Sequence, residues 1–578
     1  MIFRKKNIFI ILFLFSSSLF AQETLSNLNT SWSNVLSGVV ICEPAVTSYG
    51  FCAVTDARTI SAFTNSGKLL WEKNTGRLRN IILHPLPDDF ILYIDLSNKI
   101  LKILNPTGTE IWSKNLNYMV NKSPLAGRDG RFFLSGENIV ECYGINGVQK
   151  WQLKTETQKN IPIQELPDGS IVIFLADEKN QTKGLRISPF GLVLEEILFS
   201  GSVTTANTCE DGILLTFTDG SAGLFSIQNG LSQNKWVLSK RNTNALFSVS
   251  ENKSDYLYIE LFPDGIVLNE LNQNDGSVTH SIKIKEILGS KVEKICFNES
   301  GILLIDNKSA GLYSKNGKEI WFAKLPSRTS KTNWNHIIYT SDNHLIFCYK
   351  NWTLNAYRIA QNNSHSVNNS VHEDYDSFMK YEKNFDTQYS YSFSQEIISE
   401  SRIDDLNSGL YSDKEKIYLQ DIISICSAYS EFLSTSDFGT RKEKSIFEQD
   451  STGFEKVLAQ LMLLGNKNSQ NLAASILAKT NNRSFQRVIL SGIKSNGYDP
   501  DERLLKSIEK VSQNISYKDK VFSSFICDAV YSICLFMGRS AYNSKGKEIL
   551  KNFMYPSYDA KIREYARDTL KRIIELDL

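Results

Sequence analysis

Short runs of alternating apolar and polar residues fill the chain from about residue 30 to residue 360. Examples are Phe132 with Leu134 and Val140 with Cys142, two pairs of apolar residues that stand two positions apart. This period of two is typical of half-buried β-strands. Asp-Gly pairs, which tolerate positive φ in tight turns, stand before several of these runs: Asp129–Gly130, Asp168–Gly169 and Asp211–Gly212. The pattern therefore predicts many short antiparallel strands joined by turns.

These strands belong to one repeated unit that ends in Gly-x-x-x-Trp. The clear copies end at Trp71, Trp112, Trp151 and Trp321. Less regular copies end at Trp236, or have Glu195 or His280 at the position of the Trp. Consecutive Trp positions, with these two substitutes included, lie 39 to 44 residues apart. A fixed period of this length indicates stacking of one supersecondary unit. We expect a closed β-propeller of eight blades, or of seven if unit four or unit six is not a blade.

The two ends of the repeat region complement each other. The last unit ends at Ile359 without a Gly-x-x-x-Trp strand, and Trp32 lies 39 residues before Trp71, where a separate final strand would stand. This arrangement predicts that the N-terminal strand near Trp32 completes the last blade, so that the propeller spans residues 22–360. A ring that is closed in this way needs no exposed edge strand.

The regular Trp positions indicate packing between neighbouring blades, because one large side chain per blade buries a large area in the ring. The alternative is an aromatic platform for a ligand. Small residues on the strands before the Trp are expected where blades approach the crowded axis: Ala62, Ala222, Ala310 and Ala356.

The Gly-x-x-x-Trp strand, following a strand with a small–aromatic pair, resembles the quinoprotein-type (PQQ-like) propeller repeat over residues 30–360. That family includes quinone-dependent dehydrogenases and non-enzymatic propellers such as the outer-membrane-assembly lipoprotein. The dehydrogenases typically carry an adjacent Cys-Cys pair that stacks on the cofactor, with an Asp base and calcium ligands in long inserts. This chain has no Cys-Cys dipeptide, and its units are compact. The resemblance therefore implies the non-enzymatic branch.

The chain changes character after the propeller. Residues 361–395 are polar and irregular, as in a linker. Residues 396–578 have a helical period, with one helix around Ile422 and Ile425 and a second around Phe454 and Leu458. Six further helices are predicted: 471–480, 484–495, 501–512, 518–537, 546–553 and 560–576. We interpret them as three or four helical hairpins in a short HEAT-like α-solenoid; the alternative is a plain helical bundle.

The N-terminus resembles a secretory signal peptide of residues 1–21. Arg4, Lys5 and Lys6 precede the apolar run 8–15, and Ala21 is the expected last residue before cleavage. The alternative is an uncleaved anchor, but the run is short for a membrane span. We find no other apolar run of sufficient length, so the mature protein is expected to be periplasmic or secreted, without an integral membrane span.

Charge and cysteine usage exclude some classes of function. Lys and Arg total 64 against 63 Asp and Glu, which gives no sign of a nucleic-acid partner. The nine cysteines stand singly, without CxxC spacing, so zinc and a dense disulfide framework are disfavoured. Most are expected to be buried thiols. One disulfide is a candidate, between Cys42 and Cys52.

No arrangement of chemically active residues stands out. The six histidines lack metal-ligand spacing, and each is expected in a loop or at the surface: His84, His280, His336, His344, His365 and His372. The prediction is therefore no catalytic, cofactor-binding or metal-binding residue and no cofactor. The function that follows is a non-enzymatic exported scaffold that binds protein partners in the bacterial envelope. The alternatives are a small-molecule or glycan-binding propeller and, less well supported, a quinone-dependent dehydrogenase.

Overall fold

The computed structural model of the chain describes residues 29–359, apart from short gaps within that range, and residues 413–435 and 451–576. The predicted signal peptide (1–21) and the predicted linker (361–395), with His365 and His372, lie outside the described residues.

Residues 29–359 form eight antiparallel sheets of four strands each. Blades 1 and 2 contain β2 (Ala45–Thr47), β3 (Gly50–Val54), β4 (Thr59–Thr64), β5 (Leu69–Asn74), β6 (Ile81–Pro85), β7 (Ile91–Asp95), β8 (Ile100–Leu104) and β9 (Glu110–Asn115). Blades 3 and 4 contain β10 (Leu125–Ala126), β11 (Arg131–Ser135), β12 (Ile139–Gly144), β13 (Gln149–Lys154), β14 (Gln164–Glu165), β15 (Ile171–Ala176), β16 (Thr182–Ile187) and β17 (Val193–Phe199).

The other half of the ring repeats this order. Blades 5 and 6 contain β18 (Val203–Cys209), β19 (Gly212–Phe217), β20 (Ala222–Ser226), β21 (Asn234–Leu238), β22 (Ala245–Val249), β23 (Tyr256–Phe262), β24 (Gly265–Leu271) and β25 (Val278–Ile284). Blades 7 and 8 contain β26 (Val292–Asn298), β27 (Gly301–Asp306), β28 (Ser309–Tyr313), β29 (Glu319–Lys324), β30 (Trp334–Tyr339), β31 (His344–Tyr349), β32 (Thr353–Arg358) and, as the last strand, β1 (Asn29–Val35).

The N-terminal strand closes the ring. β1 pairs antiparallel with β32, from Asn29 opposite Arg358 to Val35 opposite Thr353, and it forms the outer edge of blade 8. The predicted closure near Trp32 and the eight-bladed propeller are confirmed, and the alternative of seven blades is wrong. The first strands of neighbouring blades contact one another, as β2 does β6 and β18 does β22. The first strand is therefore the innermost of each blade.

Because strands alternate in direction, each blade contributes turns to two opposite faces. One face carries the turns between the first and second strands and between the third and fourth strands of each blade, such as residues 86–90 and 105–109 of blade 2. We call it the docked face, because the helical domain contacts it. The open face carries the turns between second and third strands, such as residues 96–99, and the connections between blades.

In five blades, the Trp of the last strand donates to a carbonyl group of the next blade. The indole Nε1–H of Trp32 donates to the carbonyl oxygen of Asn65 at 2.8 Å, and that of Trp71 donates to Pro106 at 2.9 Å. Equivalent bonds occur for three further indoles: Trp112 with Ile145, Trp151 with Pro189 and Trp236 with Gln273. The predicted packing of the Trp residues between blades is confirmed by these contacts.

The two blades that lack the Trp keep a bond at the same place. In blade 6, His280 Nε2 lies 2.9 Å from the carbonyl oxygen of Asn316 in blade 7. In blade 4, a carboxylate oxygen of Glu195 accepts from the backbone N–H of Leu231 in blade 5, at 3.1 Å. Each substitute is therefore a polar side chain that reaches the next blade.

The glycine of the repeat makes room for this indole. A Cβ atom on Gly147, at φ +80°, would lie 2.4 Å from the ring of Trp112, which is far inside van der Waals contact. Gly76 has nearly the same φ, +77°, but a Cβ there would have open space. The Gly and the Trp of the repeat are therefore partners across a blade boundary.

This pair of glycines yields a prediction about stability. Gly76→Ala should lower the free energy of unfolding by about 1–2 kcal/mol, the usual penalty of a Cβ atom in left-handed backbone. Gly147→Ala should cost at least about 2 kcal/mol more, because the methyl group also displaces the Trp112 ring from its bond to Ile145. Chemical denaturation of both variants measures the difference, and equal losses would show that the indole contact has little effect.

The small residues lie away from the axis, contrary to expectation. Ala62, Ala222, Ala310 and Ala356 belong to third strands, one position inside the outer edge. Ala62 stands opposite Trp71 in the ladder, and Ala356 stands opposite Trp32. Their small size at these two positions leaves space beside the indoles of the outer strands.

The helical domain consists of eight described helices. They are α1 (Asp413–Thr435), α2 (Ser451–Leu464), α3 (Lys467–Lys479), α4 (Arg483–Ser495), α5 (Arg503–Ser512), α6 (Lys520–Met537), α7 (Ser540–Asn552) and α8 (Ala560–Glu575). Asn466, Asn482 and Asp519 cap the N-termini of α3, α4 and α6 by accepting backbone N–H bonds, which explains why the chain breaks there.

These helices stack in two layers. Each helix contacts the helix two positions further along the chain, and most also contact the next one, so that α1, α3, α5 and α7 form one layer and α2, α4, α6 and α8 form the other. Consecutive pairs arranged in this way form a short α-solenoid rather than a bundle around one axis. A HEAT-like character of the individual pairs stays a prediction.

Helix α6 differs from the sequence-based expectation in one respect. It is the one described helix with the length and apolar composition of a membrane span. Ten of its residues, including Ile526, Val530 and Ile533, are buried, and it packs against α4, α5, α7 and α8. Its hydropathy therefore fits the central helix of this domain.

Candidate functional site

Buried apolar residues of the described chain form eight clusters, one between each pair of neighbouring blades. Seven of them stay within the propeller. The cluster between blades 2 and 3 continues without a break into the core of the helical domain. Propeller and solenoid therefore share one core, although the sequence suggested only a linker between them.

Aromatic rings make the centre of this shared core. Tyr498, in the loop between α4 and α5, is fully buried, and its ring lies 6.2 Å from that of Phe90 in blade 2. Phe536 of α6 lies 5.4 Å from Phe90. A Cβ on Gly130 of blade 3 would lie 2.9 Å from the Tyr498 ring, so only a glycine allows this approach. The Asp129–Gly130 pair thus forms part of the contact between the domains.

Polar contacts surround the rings and fix the orientation of the two domains. The Tyr498 hydroxyl donates to Asp88 at 2.8 Å, and the Arg539 guanidinium donates to the carbonyl oxygen of Asp88 at 2.8 Å. Arg539 also lies 3.5 Å from the Asp89 carboxylate. Further bonds join the domains: Asn105 to the carbonyl of Leu535, the Lys467 N–H to the carbonyl of Asp129, and Lys150 to the carbonyl of Leu463.

Every propeller residue in these bonds belongs to a turn or strand end on the docked face of blades 2 and 3. Their partners lie at the end of α2, at the start of α3, in the loops 496–502 and 538–539, and in the last turn of α6. The solenoid thus rests on one side of the ring by the edge that carries the connections after α2, α4 and α6. The open face of blades 1 and 8 lies on the opposite side of the propeller from these contacts.

The open face contains a cleft of about 700 Å³ between blades 1 and 2. Its lining combines an apolar floor with polar and acidic side chains: Ile41, Cys42, Glu43, Asp56, Asn80, Ile81, Leu96 and Ser97. The cleft is formed by the chain that enters blade 1 and by turns of blades 1 and 2. We call it the blade 1–2 cleft.

Several ionisable groups gather around Glu43 at the inner strands beside this cleft. Lys294 of blade 7 lies 3.5 Å from the Glu43 carboxylate and donates to the carbonyl oxygen of Ile337 at 3.1 Å. Burial lowers the pKa of His84 to about 4, although the nearby Glu43 charge acts in the opposite direction. Burial also lowers the pKa of His336. Both imidazoles are therefore neutral at pH 7.

The histidines correct one expectation of the sequence. All four that fall among the described residues lie on strands, not in loops: His84, His280, His336 and His344. His280 is exposed at the surface, as expected, whereas the other three are half-buried. His84 and His336 lie on innermost strands, and the consecutive apolar residues beside each of them were the signal that could have placed them on buried strands.

The cysteines correct a second expectation. All nine are free thiols, so the Cys42–Cys52 disulfide is wrong. Cys52 stands opposite Ala45 and Ala62 in its ladders, whereas Cys42 precedes β2 and is not a cross-strand neighbour. Burial raises the pKa of the Cys42 thiol to about 12, so that this thiol of the blade 1–2 cleft stays protonated.

The described residues contain no group of three His, Cys, Asp or Glu side chains placed to hold a metal ion. The cleft offers an apolar floor, carboxylates, an amide and a hydroxyl group, which suit reversible binding of a polar ligand or a side chain. The absence of a catalytic or cofactor-binding residue stays a prediction.

The shifted His84 pKa predicts a pH dependence of stability. Because its folded pKa lies below the usual 6.5, the unfolded chain takes up a proton between pH 6.5 and 4, and stability falls over that range. Asp499 acts in the opposite direction, since burial raises its pKa to about 6. The test therefore compares the free energy of unfolding of the wild type with that of His84→Gln. The difference between the two should change by about 1–2 kcal/mol between pH 7.5 and pH 5. A constant difference would contradict the burial of His84.

Comparison with known proteins agrees with the repeat. The family model described as outer membrane protein assembly factor BamB matches residues 56–186, which extend from blade 1 into blade 4. The predicted PQQ-like repeat is confirmed by this match. No curated protein sequence matches the chain.

Solved propeller structures are similar at low identity. BamB from Moraxella catarrhalis is 14% identical, over 57% of this chain and 100% of its own length, with a TM-score of 0.40. Sqt1 from Saccharomyces cerevisiae is 10% identical, over 58% and 98%, with a TM-score of 0.44. Virginiamycin B lyase from Staphylococcus aureus is 12% identical, over 57% and 99%, with a TM-score of 0.34. None of these values bears on activity, and the three include an enzyme.

Proposed function

We propose that this chain is a non-enzymatic, exported scaffold that binds protein partners in the bacterial envelope. The observation that carries the proposal is the apolar core shared by blades 2 and 3 and the solenoid. A propeller and a helical solenoid each present broad surfaces for partners. When both are fixed to each other, a partner bound to one is held at a defined position relative to a partner bound to the other.

Two further observations support this function. The family model that matches residues 56–186 carries the description of an assembly factor for outer membrane proteins. The first 21 residues have the charged, apolar and small-residue order of a secretory signal peptide, cleaved after Ala21. The chain would then act in the periplasm or outside the cell, and would hold envelope proteins during or after their assembly.

The test is crosslinking in intact cells of the native host, with a C-terminal affinity tag for recovery. We expect adducts between this chain and other envelope proteins, identified by mass spectrometry. The matched control is the same chain without residues 1–21, which should stay in the cytoplasm and lose those adducts. Recovery of the exported chain as monomer alone would contradict the scaffold function.

The blade 1–2 cleft favours a second candidate, a propeller that binds a small molecule or glycan. Its volume of about 700 Å³ and its mixed lining are in the range of small-ligand sites. A thermal shift assay with a panel of sugars separates the two functions. A shift that Asp56→Asn removes, in a chain that forms no protein adducts, would favour the ligand-binding function.

A further inference from the structure

A tryptophan stands exposed on the open face of blade 8. Trp352 is the last residue of the turn between β31 and β32, and 51% of its surface is accessible. Its φ is +70°, in the left-handed region that bulky residues rarely adopt. Backbone strain of this kind, at a bulky residue, is found more often at functional positions.

Equivalent turns show that the fold does not require an indole here. Arg58 of blade 1 and Lys99 of blade 2 also stand directly before the third strand of their blades, at φ +68° and +54°. Long polar side chains therefore serve equally well at this turn position. The aromatic ring of Trp352 adds nothing that the turn needs.

The indole is presented on a rigid frame. The backbone N–H of Trp352 donates to Tyr349, and its carbonyl accepts from the Leu36 N–H at 2.7 Å. The Asn351 side chain accepts from the N–H and the hydroxyl of Thr353. Val35, directly before Leu36 and opposite Thr353, is 75% exposed. Trp352 and Val35 are thus two exposed apolar residues at the seam where the ring closes, and we call this pair the patch.

The chain leads from this patch to the blade 1–2 cleft. The segment 36–41 crosses from blade 8 to blade 1, and Val39 and Asp56 exchange two hydrogen bonds along it. Ile41, partly exposed, then enters the lining of the cleft with Glu43. Patch and cleft are the two ends of one surface of the open face.

We propose that this surface binds an extended segment of a partner protein, which places an apolar side chain against Trp352 and Val35 and a lysine or arginine side chain in the blade 1–2 cleft. This inference rests on the proposed scaffold function and specifies its partner. A basic side chain suits the cleft because its aliphatic stem packs on an apolar floor while its charged end reaches carboxylates. Asp56 forms no ion pair among the described residues, whereas Lys294 already neutralises part of the Glu43 charge.

The experiment measures fluorescence anisotropy of two labelled ten-residue peptides, one alternating Leu and Lys and the other alternating Leu and Glu. The Lys peptide should bind the intact chain and the Glu peptide should not. Trp352→Arg introduces the residue type that blade 1 has at the equivalent turn position, Arg58. This change should weaken binding of the Lys peptide at least about tenfold. Asp56→Asn, which keeps an oxygen for the Val39 N–H, should weaken binding severalfold and reduce its salt dependence. Leu198→Ser is the control, because Leu198 is also an exposed apolar residue, at 66%, but lies on blade 4.

Unchanged binding by Trp352→Arg, equal binding of the Glu peptide, or no binding of the Lys peptide would each overturn this assignment. Crosslinking in cells distinguishes that failure from failure of the scaffold function. If the Trp352→Arg chain still forms every adduct of the wild type, the partner site lies elsewhere and the scaffold function stands. If the wild-type chain forms no adducts, the scaffold function itself is wrong.

Discussion

A chain that begins at Leu36, and therefore lacks β1, is expected to lose the cooperative unfolding transition of its propeller. Without β1, blade 8 has three strands, and β32 exposes the edge that six residue pairs now cover. The bond from Trp32 to blade 1 is lost as well. The two losses act on the same blade boundary, so we expect a destabilisation of more than about 5 kcal/mol.

Thermal unfolding followed by circular dichroism measures this effect. A chain that begins at Asn29 is the control, because it keeps the whole of β1. It should unfold like the mature protein, with a single steep transition of the β signal. If the chain that begins at Leu36 unfolds at the same temperature as this control, β1 does not close the ring.

The second large effect concerns the contact between the domains. Tyr498→Ala should cost about 3–5 kcal/mol, the usual range for removal of a buried aromatic ring. The change removes the contacts with Phe90 and Phe536 and also leaves the Asp88 carboxylate without its hydroxyl donor. Because the ring lies in the core that both domains share, we expect one unfolding transition to separate into two.

Scanning calorimetry tests that separation. Tyr555→Ala is the matched control, since it removes the same side chain from the same domain at an exposed position, and it should change stability by less than about 0.5 kcal/mol. The loss of stability in Tyr498→Phe should lie between those of Tyr498→Ala and Tyr555→Ala, because this variant keeps the ring and loses only the hydroxyl group. An unchanged single transition for Tyr498→Ala would show that the domains unfold together for another reason.

The sequence was sufficient to predict features that depend on local periodicity. The Gly-x-x-x-Trp spacing gave the eight blades, and Trp32 gave the closing strand, because each blade repeats the same turn and the same alternation. Helices α3 to α8 were also predicted, since their apolar stripes and capping residues lie close together in the chain.

Contacts between distant parts of the chain were not predicted, and Asp129–Gly130 shows why. As a turn, this pair looks the same as Asp168–Gly169. Yet Gly130 lies beneath Tyr498, while Asp168 pairs with Arg186 inside blade 4. Turn chemistry determines the backbone conformation, whereas the partner across the interface is more than 300 residues away.

The most direct test of one continuous body is hydrogen–deuterium exchange of the intact chain. Peptides that span β1 and residues 464–470 report on ring closure and on the Lys467–Asp129 bond between the domains. The hydrogen-bonded amides of both peptides should exchange as slowly as the central strands of blades 2 and 3, because they open only when the shared structure opens. The amides of edge strand β1 that face away from β32 should exchange faster. Exchange of either peptide within seconds, while the central strands stay protected, would contradict a closed ring with a fixed helical domain.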